Sequence, residues 1–187
     1  ELEEILEEEM AAGLVVIACS MIKHEIDVAQ AHNLSRRSLE LSQTVENEIV
    51  REDHLKDWVL KWNECANVEQ AELFFNTSLE VCASIVDSEE APDYQTVILL
   101  SIADTIKQFD TYTDNLEGII RQVAEQAVSI NQMEENWRVS EQQSRGYDVR
   151  PSDFVLAELA ALSAHIGGET GVENWFNLCQ EIIEKIT

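Results

Sequence analysis

The most apolar stretch of the chain lies at residues 10–22, MAAGLVVIACSMI, where only Gly13 and Ser20 interrupt the apolar run. The stretch is shorter than the ~20 residues that a helix needs to cross a bilayer. Apolar side chains on every face of a helix are typical of a helix that other helices surround. We therefore predict a central core helix here, with Leu14 and Ile17 buried at its middle.

Apolar residues recur every three or four positions on both sides of this stretch, which is the period of an amphipathic α-helix. The pattern predicts a first helix over residues 2–33 and a second over residues 34–52. A third helix is expected to begin with Asp53 as its cap. A fourth should follow Asn67 and Gln70, which have the spacing of a capping box.

Capping patterns also set the boundaries expected in the second half of the chain. Gly167 and Gly168 should end the seventh helix, because glycine is the common residue just after a helix C-terminus. The fifth to eighth helices are expected to begin at residues that favour a helix N-terminus, namely Pro92, Asp114, Pro151 and Thr170.

The chain contains six Gly and two Pro, and no segment alternates polar and apolar residues as a half-buried strand would. These features predict an all-α protein. We expect a single domain over residues 1–187, a bundle of seven to eight helices around the buried apolar N-terminal helix. The polar stretch 138–150 is the candidate for a flexible segment within that domain.

The chain has 37 acidic and 12 basic residues, which gives a formal net charge of −25. Nucleic-acid-binding proteins need a basic face, and the Arg and Lys residues here are scattered. An acidic surface is also repelled by anionic lipid. Direct binding to nucleic acid or to a membrane is therefore not expected. Three explanations of the charge remain open: solubility, a basic partner, and adaptation to salt.

The four cysteines lie in apolar helical stretches, and no two have the C-x-x-C spacing of a zinc or redox motif. They are Cys19, Cys65, Cys82 and Cys179. Buried free thiols of this kind are typical of a reducing compartment, so a cytoplasmic location is expected.

Motifs for catalysis are missing from the sequence. No glycine-rich phosphate loop is present, and none of the histidines follows a Glu at the spacing of a diiron site; the histidines are His24, His32, His54 and His165. We predict no catalytic residue and no cofactor, and an enzyme is the less favoured class.

One acidic constellation gives an enzymatic alternative. Glu69 and Glu72, followed by Glu90 and Asp93, resemble the acidic signature of the all-α nucleotide pyrophosphohydrolases of the MazG type. The resemblance implies that the four carboxylates hold Mg²⁺, which bridges the substrate phosphates. It covers this short stretch only, and Pro92 places the second pair at a helix start instead of on one helix face.

A second resemblance covers the same stretch. Glu90, Pro92, Asp93 and Tyr94 are similar to the Glu-x-Pro-Asp segment of the TorD/NarJ-type chaperones for molybdoenzymes, which are acidic all-α proteins of about this size. This resemblance implies a chaperone that binds another protein and carries out no chemistry of its own.

The function that we predict is that of an acidic module that binds a basic protein surface, as inhibitors, immunity proteins and mimics of nucleic acid do. Carboxylates at helical spacing then take the places of phosphates, and the partner can be a nucleic-acid-binding protein. The candidate interaction residues lie outside the apolar stripes; they are Glu3, Glu7, Glu8, Glu46, Asp53 and Asp57.

Overall fold

The computed structural model of the chain describes the backbone at residues 2–66, 71–86, 88, 90–109, 114–141 and 151–186. Side chains are described at residues 9–66, 71–86, 88, 90–109, 116–130, 153–164, 173–178 and 180–181.

The described backbone is almost entirely helical and contains no strand, which confirms the all-α class. Its helices are α1 Leu2–Lys23, α2 Val28–Gln43, α3 Glu48–Asn63, α4 Ala71–Ser84, α5 Ala91–Ile106, α6 Asp114–Glu141 and α7 Pro151–Ile186. A search of the described residues finds no helix with the length and hydropathy that a membrane span requires.

The chain divides into two compact units, Glu1–Ile98 and Leu99–Thr187, with the boundary inside α5. In the first unit α1 packs against α2 and α3, α2 against α3, and α3 against α4. In the second unit α6 packs against α7. The single domain over residues 1–187 stays a prediction.

The first predicted helix, over residues 2–33, is in fact two helices. α1 ends at Lys23, and the backbone turns through Glu25 and Asp27, whose φ angles are 55° and 39°. The Asp27 carboxylate then accepts a hydrogen bond of 3.1 Å from the backbone N–H of Gln30 and so caps α2. The apolar pattern continues across this turn, which hides the break from a periodicity argument.

The boundary expected at Asp53 is also wrong. α3 begins at Glu48, because the Asn47 side chain accepts a hydrogen bond of 3.1 Å from the Val50 N–H and caps the helix there. Asp53 therefore lies inside α3, one turn beyond its start.

The helix break predicted at Gly167 and Gly168 does not occur, since α7 runs unbroken from Pro151 to Ile186. A glycine inside a helix costs about 1 kcal/mol but keeps its N–H group, so it weakens a helix without ending it. The start expected at Thr170 is wrong for the same reason. Of the polar stretch 138–150, residues 138–141 belong to α6 and the others lie outside the described residues.

Small side chains let α1 and α2 approach closely. One stripe of α2 is buried and consists of Ala31, Ser35, Ser38 and Ser42. The Ser38 hydroxyl donates a hydrogen bond of 2.5 Å to the backbone carbonyl of Ala11 on α1, and the Ser42 hydroxyl donates to the Ser38 carbonyl within α2. The two helices therefore meet at a seam of small residues, in which the buried hydroxyls are satisfied by backbone carbonyls.

The seam fixes which face of α1 is buried. Ala11, Val15 and Ala18 are buried, whereas Val16 is 52% exposed and Ile17 is 51% exposed. Leu14 is half-buried. The prediction of a helix surrounded on every side, with Leu14 and Ile17 at its centre, is therefore wrong: one apolar face of α1 lies at the surface.

An aromatic stack joins α3 to α4 in the first unit. The rings of Trp58 and Trp62 stack at 5.5 Å between centroids, and those of Trp62 and Phe74 at 4.3 Å. The His32 ring meets Trp62 edge-on at 5.6 Å, and burial lowers the pKa of His32, so this ring packs in its neutral form. This arrangement agrees with the apolar stripe predicted for both helices.

The orientation of α1 can be tested at two adjacent positions. Ala18→Asp places an unpaired carboxylate in a fully buried site, so we expect the free energy of unfolding to fall by about 3–5 kcal/mol. Ile17→Asp changes an exposed position and should cost less than about 1 kcal/mol. Urea unfolding followed by circular dichroism measures both. Equal losses, or a larger loss at position 17, would show that the other face of α1 is buried.

Two helical glycines have room for a side chain. A Cβ atom at Gly13 of α1 or Gly118 of α6 would meet no described atom within 4 Å. Each change to alanine should therefore raise the free energy of unfolding by about 0.5–1 kcal/mol, because alanine loses less backbone entropy in a helix. The reverse change at the exposed Ala12 of α1 should lower it by a similar amount. Thermal melts of the three variants measure the effect, and a destabilised Gly13→Ala variant would contradict the expectation.

Candidate functional site

An open groove of about 530 Å³ lies among α1, α2 and α3 of the first unit. α1 lines it with residues between Glu9 and Val16, and α3 lines it with residues between His54 and Lys61. Ser38 and Ser42 of α2, which belong to the seam, also line it. The volume falls within the range usual for ligand and side-chain pockets.

The floor of the groove is apolar. It consists of Val15 and Trp58, which are buried, of the half-buried Leu60 and of the exposed Val16. The Trp58 indole N–H donates a hydrogen bond of 3.3 Å to the backbone carbonyl of Ser35, which fixes the ring against α2. Because Trp58 and Val15 are almost fully buried, the apolar side chains that a partner can reach in the groove are Val16 and Leu60.

The rim of the groove is acidic. Glu9 of α1, Asp57 of α3 and Glu64 at the end of α3 line it, against one Lys ammonium. That ammonium belongs to Lys61, which donates a hydrogen bond of 2.9 Å to the Glu64 carboxylate. The hydrogen bond with Glu64 raises the pKa of Lys61, so the Lys61 ammonium keeps its charge. Glu9 and Asp57 leave the rim with an excess of negative charge.

A second charged cluster lies on the α3 surface beside the groove. The Lys56 ammonium donates to the Asp53 carboxylate, lies 3.4 Å from the Asp57 carboxylate, and sits 5.0 Å above the centre of the Tyr94 ring. Burial opposes the charge on Lys56, but the hydrogen bond to Asp53 and the charge of Asp57 raise its pKa overall. Asp53 is therefore committed to a partner within the chain.

The structure separates the interaction residues expected from the sequence. Asp53 and Asp57 are both paired with Lys56, but only Asp57 lines the groove, and Glu46 is exposed between α2 and α3 and does not line it. Three further candidates lie on α1 with side chains outside the described residues, namely Glu3, Glu7 and Glu8.

Two rim carboxylates were missed by sequence reasoning. Glu64 lies two helical turns after Asp57, so helical spacing could have placed both on one face of α3. Glu9 is one of several acidic residues at the start of α1, and only the packing of α1 on α3 singles it out.

The carboxylates of the metal alternative are dispersed in the part of the chain that the structure describes. Glu72 lies in the first turn of α4, Glu90 just before α5 and Asp93 in its first turn, and all three are exposed. Glu69 lies outside the described residues. Among the described side chains, no group of three His, Cys, Asp or Glu is placed to hold a metal ion.

The segment that resembles the TorD/NarJ-type chaperones forms the start of α5. Pro92 and Tyr94 are half-buried there, and burial together with the charges of Asp53 and Glu90 raises the pKa of Tyr94. This segment does not line the groove.

No family model, no curated protein and no solved structure matches the chain. The two family resemblances therefore rest on the few residues that carry them. The groove with its apolar floor and acidic rim is the candidate functional site.

Proposed function

We propose that this chain is a protein-binding module that engages a basic surface of another protein through the groove among α1, α2 and α3. One observation carries the proposal: Glu9, Asp57 and Glu64 surround an apolar floor in a chain with a net charge of −25. The rim supplies the electrostatic selectivity and the floor supplies the apolar contact.

The charge favours a cationic partner over a long range. At an ionic strength of 0.15 M the Debye length is about 8 Å, so the acidic surface attracts a basic partner before contact and accelerates the encounter. Each exposed ion pair in the final complex contributes only about 0–1 kcal/mol. Most of the lifetime of the complex must therefore come from the apolar floor.

The groove suits a helical segment of the partner. An amphipathic helix can place one or two apolar side chains on Val16 and Leu60 while its flanking Lys or Arg residues reach the rim. The Trp58 ring is already held by Ser35, so binding does not need to order it.

The proposal assigns the protein to the inhibitor, immunity or nucleic-acid-mimic type. Partners of these proteins carry basic surfaces that otherwise bind phosphates, and carboxylates take the phosphate positions. For such a partner, added chain should displace bound DNA or RNA in a competition experiment.

The rim can be tested with a synthetic partner. We expect the full chain to bind an amphipathic helical peptide of Leu and Lys, and not a peptide with Glu at each Lys position. Changing Glu9, Asp57 and Glu64 together to Lys should weaken binding by about tenfold or more. Changing Glu46, Glu72 and Glu80, which are exposed and do not line the groove, alters the net charge equally and should have a smaller effect. Interferometry at several salt concentrations gives the rates.

The association rate should fall steeply with salt while the dissociation rate changes little. Equal effects of the two triple variants would show that total charge alone drives binding. An association rate that does not respond to salt would refute the steering of a basic partner altogether.

A matched pair of variants tests the apolar contact at the floor of the groove. Val16 lines the groove and Ile17, its neighbour, is equally exposed but does not line it. Val16→Ser should raise the dissociation rate of the Leu/Lys peptide several-fold, whereas Ile17→Ser should leave it unchanged. If both variants dissociate like the wild-type chain, the groove is not the binding surface.

A further inference from the structure

Two cysteines from distant parts of the sequence meet at the backbone carbonyl of Lys61. Cys19 lies on α1 and Cys65 directly follows the residue that caps the end of α3. Both thiols donate to the same acceptor, the backbone carbonyl of Lys61, at 3.2 Å from Cys19 and 3.4 Å from Cys65. Two sulfur atoms on one carbonyl oxygen lie near enough for a small rotation of the side chains to bring them together.

The third described cysteine has a different environment. Cys82 of α4 donates to the backbone carbonyl of Gln95, and burial raises the pKa of its thiol to about 12. It therefore stays protonated and serves as an internal reference for a buried thiol that does not react.

The two thiols differ in how readily they lose a proton. When Cys65 loses its proton, the Cys19 thiol can donate to the thiolate instead of to the Lys61 carbonyl, which lowers the pKa of Cys65 and raises the pKa of Cys19, and the Lys23 ammonium favours the thiolate of either. Cys65 is thus the first of the pair to ionise, and the thiolate is the form of cysteine that attacks oxidants.

We propose that Cys19 and Cys65 form a peroxide-sensitive pair, in which Cys65 is the attacking thiol and Cys19 the resolving thiol, and which closes to a disulfide that ties α1 to the end of α3. Cys65 is 5% exposed and Cys19 is 7% exposed, so the class of oxidant that fits is a small one such as hydrogen peroxide. The inference does not depend on the proposed function, since it involves no partner protein.

Hydrogen peroxide takes up the two electrons that the thiols lose when they form the disulfide. The Cys65 thiolate attacks one oxygen of hydrogen peroxide, the O–O bond breaks, and the departing hydroxide takes a proton to leave as water. Cys65 is then a sulfenic acid. The Cys19 sulfur attacks the Cys65 sulfur, the S–O bond breaks, and the hydroxide leaves as a second water with the Cys19 proton. Two thiols lose two electrons in total, and the two peroxide oxygens gain them.

Closure of the disulfide changes the groove wall. The Lys61 carbonyl loses both thiol donors, and α1 becomes covalently joined to the helix that carries Lys61 and Glu64. A cross-link between distant positions also restricts the unfolded chain, so the oxidised protein should melt at a higher temperature than the reduced protein.

The experiment uses the chain of residues 1–187, treated with hydrogen peroxide under native conditions. The peroxide is removed with catalase, and the chain is then denatured, alkylated and digested. We expect mass spectrometry to show the Cys19 and Cys65 peptides joined, with Cys82 fully alkylated, and a reductant to reverse the link. Alkylation of both Cys19 and Cys65 in treated protein would overturn the proposal. So would a cross-link that involves Cys82 or Cys179, or one that forms only in denaturant.

Single variants test the assignment of roles. In Cys19→Ser the Cys65 sulfenic acid cannot be resolved, so dimedone should label Cys65. In Cys65→Ser neither a cross-link nor a dimedone adduct at Cys19 should form, and Cys82→Ser should cross-link like the wild-type chain. A dimedone adduct on Cys19 in Cys65→Ser, at the rate seen for Cys65 in Cys19→Ser, would contradict the order of attack.

Discussion

The close approach of α1 and α2 is the constraint on which the first unit depends. A stripe of Ala and Ser on α2 removes the side-chain bulk that would separate two helices, and the Ser38 hydroxyl reaches the Ala11 carbonyl at 2.5 Å. With one face of α1 committed to this seam, the opposite apolar face of α1 stays exposed among the described residues of the first unit. The exposed Val16 and Ile17, the groove and the acidic rim all follow from that choice of face.

α3 connects the seam to the rest of the unit through its aromatic side chains. Trp58 reaches back to the Ser35 carbonyl of α2, and Trp62 stacks forward on Phe74 of α4. The buried Ser78 hydroxyl donates a hydrogen bond of 2.7 Å to the side-chain oxygen of Asn63, which adds a polar contact to the α3–α4 interface. Because the same helix carries Asp57 and Glu64 on its outer side, the packing that stabilises the core also fixes the position of the rim.

The fold class and several helix starts could be predicted from the sequence because they depend on local chemistry. Pro92, Asp114 and Pro151 lie in the first turn of the helices that they were expected to open. The turn at Glu25 and Asp27 could not be predicted, since its positive φ angles leave no trace in the apolar period. The groove was missed for a related reason: Glu9 and Glu64 are ordinary acidic residues among 37, and only the packing of α1 on α3 brings them to one rim.

The turn between α1 and α2 also has a consequence for the order in which the chain folds. Most helix contacts of the first unit join neighbours in the sequence, α1 with α2, α2 with α3 and α3 with α4. Contacts between sequence neighbours require little loop closure, and proteins dominated by them fold rapidly. The hairpin of α1 and α2 contains its own seam, so it can assemble during synthesis, before α3 has emerged. α3 would then dock on a surface that is already formed, and the groove would take shape at that step, before α4 packs on α3.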